Sequence, residues 1–144
     1  MDKSLLDTDI LSEVLRARNA AVVEQAVAYK TEHAKFTLSA VTVMEIVKGF
    51  HKMGRTEALN RFLEGLQTSE ILIFDMGSAE IAGRIYGDLE KAGQPIGRAD
   101  VMIAVIALQH GLTLVTGNTR HYQRIKALGF PLHLANWREE EPSR

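Results

Sequence analysis

Apolar residues fall along this chain in two rhythms: short solid runs, and longer stretches in which they recur at helical spacing. Lys3 to Leu6 is short and apolar and leads straight into Asp7-Thr8-Asp9, which predicts a strand that stops there. A short helix through Ile10, Leu11, Val14 and Leu15 follows, with Asp7 or Asp9 as its cap and Asp9 the better placed. Asn19 is placed to cap a helix from Ala20 to about Glu32, with Val22, Val23, Ala26 and Val27 on one face. Lys35 to Leu38 reads as a second strand. Ser39 then stands at the N-cap of a helix from Ala40 to about Met53, whose stripe is Val43, Ile46, Val47 and Phe50. Beyond Gly54, Thr56 to about Thr68 predicts a helix with Leu59, Phe62, Leu63 and Leu66 together.

The same alternation continues to the end. Ile71 to Phe74 is a third strand, and Ser78 is placed to cap a helix bearing Ile81, Ala82, Ile85, Tyr86 and Leu89. Gly93 to Gly97 is a loop. Val101 to Leu108 has no decisive period, but the alanines inside it and Gly111 just beyond it predict a buried helix. Thr113 to Thr116 is a fourth strand, Arg120 to Leu128 a helix stopped by Gly129, and Leu132 to Leu134 a fifth strand. Strands alternating with helices predict an α/β fold, a three-layer α/β/α arrangement with a central parallel sheet of four to five strands. Residues 1–137 are expected to form a single domain, and the charged tail 138–144 to fray.

Composition narrows the chemistry. With 144 residues, 46% hydrophobic and 24% charged, the chain suits one ordinary core. It has no Cys, so disulfides, thiolate catalysis and Cys-based zinc sites are excluded, which fits a cytoplasmic setting. The early charges Asp2, Lys3, Asp7, Asp9 and Glu13 leave no room for a signal-peptide core, and the longest apolar run is too short to cross a membrane. A net charge of -1 argues against coating nucleic acid by charge alone. It is compatible with an enzyme whose carboxylates offset its basic residues.

Open parallel sheets bind ligands beyond the carboxyl ends of their strands. There this sequence places Asp7-Thr8-Asp9, Ser39, Asp75 and Thr116-Gly117-Asn118, an acidic and hydroxylic rim without a Gly-rich phosphate loop. Asp7 and Asn118 can each be read as a helix cap or as a site residue. Asp100, in the first turn of an almost wholly apolar helix, is either an acid favoured by the helix dipole or a site residue facing the sheet edge. Glu45 points away from its helix's stripe and is either solvated or part of the same cluster.

These segments, taken in order, resemble the PIN-domain ribonucleases, and specifically the VapC-type toxins of bacterial toxin–antitoxin pairs. Leu5 to Glu13 looks like the family's opening motif, Leu38 to Ile46 with Gly49 like the second, Gly93 to Ala104 like the third, and Val115 to Tyr122 like the fourth. The resemblance implies catalytic roles for Asp7, Glu45, Asp100 and Asn118, an RNA substrate such as tRNA or rRNA, a homodimer and a VapB-type antitoxin partner. It departs from the family in two places. Asp9 stands where many members have Asn, and either adds a carboxylate near the metal or caps the helix. Asn118 stands where many members have Asp, which lowers the charge of the site and makes a second metal less expected.

Crowded carboxylates repel unless a cation lies between them, and Mg2+, with Mn2+ as a substitute, is the hard, oxygen-seeking ion that suits them. Asp7, Asp100 and Glu45 are the expected metal ligands, and Thr8, Asp9, Ser39 and Thr116 are expected to orient them. Lys48, Arg98, Arg120 and Arg124 are candidate RNA phosphate contacts. The expected reaction is hydrolysis to 5′-phosphate and 3′-hydroxyl ends. Two alternatives stand beside it: a haloacid-dehalogenase-like phosphatase using Asp7 and Asp9, and an inactive PIN-like module that only binds RNA or protein.

Overall fold

The computed structural model describes residues 1–139. Its centre is a five-stranded, wholly parallel sheet in the order β3-β2-β1-β4-β5. The strands are β1 (Ser4–Leu6), β2 (Thr37–Ser39), β3 (Glu70–Leu72), β4 (Thr113–Val115) and β5 (His133–Ala135). Between them run α1 (Thr8–Arg16), α2 (Ala20–His33), α3 (Ala40–Lys52), α4 (Thr56–Gly65), α5 (Met76–Lys91), α6 (Arg98–Gln109) and α7 (Thr119–Ala127), with a 3-10 turn at Leu66–Thr68.

Strand alternation divides the core into two apolar layers. Leu5 and Leu114, paired across β1 and β4, face the layer built with α5, α6 and α7. Leu6 and Val115, the next pair, face the layer of α1, α2 and α4. Helix α3 spans the two, giving Val41 to one and Ile46 to the other. The expected α/β/α fold is therefore the observed one. The chain builds β1, β2 and β3 outward in one direction, then returns to the other side of β1 for β4 and β5. The strand order reverses at the β1/β4 pair, which is where such sheets open a crevice for ligands.

Several local expectations shift. Helix α2 buries Val22, Gln25, Ala26 and Tyr29, while Val27 is 62% exposed. Tyr29 turns the face because its ring stacks on His33 and Phe36, and its hydroxyl accepts the Ser4 N–H at 3.0 Å. Strand β3 ends at Leu72, since β2 offers it only Thr37 to Ser39 as partners. Asp75, not Ser78, is the N-cap of α5; Ser78 completes a capping box with it. Asp7, not Asp9, is the N-cap of α1. Asn118 occupies the N-cap of α7 without a side-chain capping bond. Arg138, expected to begin a frayed tail, is instead bonded to Glu13; the rest of that expectation, 140–144, lies outside the described residues.

Candidate active site

The site is built outward from Asp7. Its N–H donates to the Val115 carbonyl at 2.8 Å, extending the β1/β4 pairing by one residue and fixing Asp7 at the switch point. The side chain is only 4% exposed. Oδ1 accepts the Thr8 N–H at 2.8 Å. Oδ2 accepts the Thr116 hydroxyl at 2.8 Å and the Tyr122 hydroxyl at 3.0 Å. Burial raises the Asp7 carboxyl to about 7, the Asp9 and Asp100 charges add to that rise, and the Thr116 and Thr8 hydrogen bonds oppose it. Burial beside these same acids pushes the Tyr122 hydroxyl far up, so it stays a proton donor.

Glu45 reaches the rim through Thr8, whose hydroxyl donates to Glu45 Oε1 at 2.6 Å and lies 3.1 Å from Thr42 Oγ1. Thr42 Oγ1 is in turn 3.1 Å from Ser39 Oγ, and Ser39 caps α3 by accepting the Thr42 N–H at 2.9 Å. Ser39 therefore touches the acids only through two threonines. Thr116 links Asp7 to the next turn, because its hydroxyl also accepts the Asn118 N–H at 2.9 Å. Asp100 lies in the first turn of α6, with His121 Nδ1 3.7 Å from its Oδ2.

Asp9 is held differently. Its Oδ1 accepts the Ile10 N–H at 2.7 Å, its Oδ2 accepts the Gly117 N–H at 2.9 Å, and Arg138 Nη1 is 3.7 Å away. Burial raises the Asp9 carboxyl, against these hydrogen bonds and the Arg138 charge.

Residues 4–128 match the PIN domain family. The chain belongs to the PIN-domain family. Within it the chain is of VapC type. It is 33% identical to the tRNA(fMet)-specific endonuclease VapC of Shigella flexneri, over 89% of this chain and 96% of that protein. The DNA-bound VapBC structure from Salmonella typhimurium superposes with a TM-score of 0.79 at 27% identity, covering 95% of this chain and 99% of that one. FitAcB from Neisseria gonorrhoeae gives 0.74 at 30% identity, covering 94% and 99%.

In this PIN domain the acids named from the sequence share one rim: Asp7 is buried against the charge of Asp100, and Glu45 is tied to the residue beside Asp7. Among the described residues, no three acidic or histidine side chains are gathered tightly enough to ligate one ion together as they stand. The donor chemistry nevertheless fits a hard cation, because Mg2+ keeps several waters and needs only one or two carboxylates directly. Buried Asp7, repelled by the Asp9 and Asp100 charges, is the group such a charge would relieve. Of the basic residues, Lys48, Arg98 and Arg120 are exposed, Arg98 over the Tyr86 ring, while Arg124 donates to the Pro95 carbonyl at 2.8 Å.

Sequence reasoning assigned no role to Thr42, Tyr122 or Arg138. Tyr122 carried a usable signal: it shares a helical face with Ile125, and a buried tyrosine hydroxyl needs a partner.

Proposed function

We propose that this PIN domain is a magnesium-dependent endoribonuclease and the toxin of a toxin–antitoxin pair. The observation that carries the reading is Asp7. It is buried at the switch point beside two further acids, it is raised to about 7, and among the described residues no Lys or Arg pairs with it. Such a group is costly to the fold and gains most from a bound cation. Relatives named as ribonucleases and structural neighbours crystallised as VapBC complexes support the class and the partner. They make a structured RNA such as tRNA or rRNA the proposed substrate, a VapB-type protein the antitoxin, and a homodimer the working form. No helix among the described residues is long and apolar enough to cross a membrane, and the proposed place of action is the cytoplasm.

Asp7 and Asp100 would hold the ion, with Glu45 reaching it directly or through a water. Mg2+, or Mn2+ in its place, would supply an acidified water and draw charge from the phosphate oxygens. Thr8 orients Asp7 by its N–H and Glu45 by its hydroxyl, and Thr116 and Tyr122 fix the second oxygen of Asp7. Lys48, Arg98 and Arg120 would bind flanking phosphates, with Arg124 bracing the loop before Arg98. Asn118, exposed at the start of α7, would face the same substrate. Attack by water forms a new P–O bond, breaks the bond to the 3′ oxygen and passes a proton to it. The ends are then 5′-phosphate and 3′-hydroxyl, without a 2′,3′-cyclic product. The phosphatase alternative is disfavoured because Asp9, its required acid, is spent on Gly117 and Arg138.

Purified Asp7→Asn tests the reading. It should stay folded by circular dichroism and lose about a hundredfold or more of Mg2+-dependent cleavage of a tRNA pool. Cleavage at the wild-type rate would overturn the metal site, and a folded wild type inert on RNA would favour a binding module.

A further inference from the structure

Beyond the acids themselves, the structure places a cation at one position on this rim, and it comes from the far end of the chain. Arg138 follows β5 in a turn held by the buried Asn136, whose side chain accepts the Arg138 N–H at 3.0 Å and whose carbonyl accepts the Glu139 N–H. The guanidinium then reaches α1. Nε and Nη2 bond Glu13 Oε1 at 3.0 and 2.8 Å, and Nη1 lies 3.7 Å from Asp9 Oδ2. It passes directly over Gly117: a Cβ built there would stand 1.8 Å from Arg138 Nη1 and 2.8 Å from Asp9 Oδ2. All three side chains are two-thirds or more covered, with exposures of 33% for Arg138, 30% for Asp9 and 25% for Glu13, so their charges are only partly screened.

We propose that Arg138 is a positioning residue for the acid rim, holding Asp9 against the Gly117 turn and offsetting one of the two charges that Asp9 and Glu13 bring there. Asp9 is the fourth carboxylate of the rim and sits two residues from Asp7. Its two oxygens are already bonded to the Ile10 and Gly117 N–H groups. With Arg138 beside it, Asp9 serves as a strut between the opening of α1 and the β4–α7 turn, and not as a metal ligand. The rim then offers Asp7, Glu45 and Asp100 to a cation and to an anionic substrate with one negative charge fewer beside them. The inference rests on the nuclease reading above, because only a site that must admit RNA phosphate is harmed by the extra charge.

The test is a double-mutant cycle on the full chain, read by cleavage kinetics and by Mg2+ titration calorimetry without RNA. Arg138→Met leaves Asp9 unbalanced. It should raise KM for RNA on the order of fivefold with a smaller change in kcat, and tighten Mg2+ binding by a similar factor. Asp9→Asn in the same background removes the unbalanced charge and should return both values most of the way to wild type, the remainder being the one backbone N–H that an amide nitrogen cannot accept. Arg138→Lys keeps the charge and should stay near wild type. Arg138→Gln removes the charge with a polar side chain left in place and should reproduce Arg138→Met, a second route should that variant fail to fold. If Asp9→Asn restores neither value, Arg138 acts through Glu13 or touches RNA itself, and the proposal is wrong. A wild type that neither binds Mg2+ nor cleaves RNA instead sinks the nuclease reading.

Discussion

The two ends of the same sheet treat charge in opposite ways. At the amino ends of the strands the carboxylates of Glu32 and Glu70 each have a cation. The Met1 ammonium meets Glu32 at 2.7 Å, and Lys3 meets Glu70 at 2.9 Å, with Thr37 adding a hydrogen bond to Glu70. Hydrogen bonds from these cations hold the Glu32 and Glu70 carboxyls below their ordinary range. At the carboxyl ends Asp7 is buried, feels the charges of Asp9 and Asp100, and is raised to about 7. Among the described residues, only Asp9 and Glu13 there have an arginine. Paired charges at a partly exposed edge serve the fold modestly. Unpaired, buried ones oppose it, and persist where a ligand is to supply the missing charge. The contrast supports placing the proposed site at the carboxyl ends without reference to any motif.

The largest effect expected from breaking this contrast is on cleavage, at the rim. Asp100→Asn should match Asp7→Asn, about a hundredfold loss or more, since it removes the charge of the other proposed direct ligand. Glu45→Gln should cost less, about tenfold, because its bond to Thr8 survives as an amide acceptor and its contact with the ion can pass through water. Initial rates on one tRNA substrate across Mg2+ concentrations measure both. Equal losses for all three would promote Glu45 to a direct ligand.

The next effect is on stability and its dependence on pH. Without metal, folded Asp7 keeps its proton until about pH 7, whereas the unfolded chain releases it near 3.8. Between those values the folded state binds more protons. Stability from this group is therefore full below about 3.8, falls as pH rises through the window and is lowest above about 7. At about 1.4 kcal/mol per pH unit, the rise from 3.8 to about 7 corresponds to up to about 4 kcal/mol. Asp7→Asn removes this cost, less what is lost because an amide nitrogen cannot accept a hydrogen bond. Metal-free Asp7→Asn should melt several degrees above wild type at pH 8 and near it at pH 4. Added Mg2+ should raise the wild-type midpoint at pH 8 and leave that of Asp7→Asn unchanged. Scanning calorimetry at the two pH values reads all four cases, and a variant less stable than wild type at pH 8 would contradict the account.

Much of this rim could be read before folding, and the reason is local. Asp7, Ser39 and Asp100 stand where a strand stops or a helix starts, and such boundaries are marked by neighbouring residues. Glu45 was ambiguous because helical periodicity reports only one helix's own face. Its partner Thr8 is 37 residues away, and the Tyr122 bond to Asp7 spans 115. Arg138 was hidden because a charged terminus looks the same whether it is solvated or folded back. The buried face of α2 shifts in part for a related reason: Val22 and Ala26 are buried as expected, but Val27 is exposed and Tyr29 is buried, through rings that lie outside the helix's regular spacing.

A smaller effect separates a residue that orients the rim from one that only decorates the fold. Tyr122→Phe keeps the buried ring and deletes one hydrogen bond to a carboxylate, worth about 1 to 2 kcal/mol, so urea melts should show that loss and cleavage should fall severalfold. Lys3→Met at the opposite end should do least. Lys3 is 51% exposed, its partner Glu70 is 33% exposed and also bonded to Thr37, and water screens the pair. The expected cost is about 0.5 kcal/mol or less, shrinking further as salt is added. Cleavage should not change, because the edge that carries Lys3 is separated from Asp7 by the whole length of β1. If Lys3→Met slowed cleavage as much as Tyr122→Phe, the division of labour between the ends would be lost, and charge at the amino edge would have to be counted as part of the RNA surface.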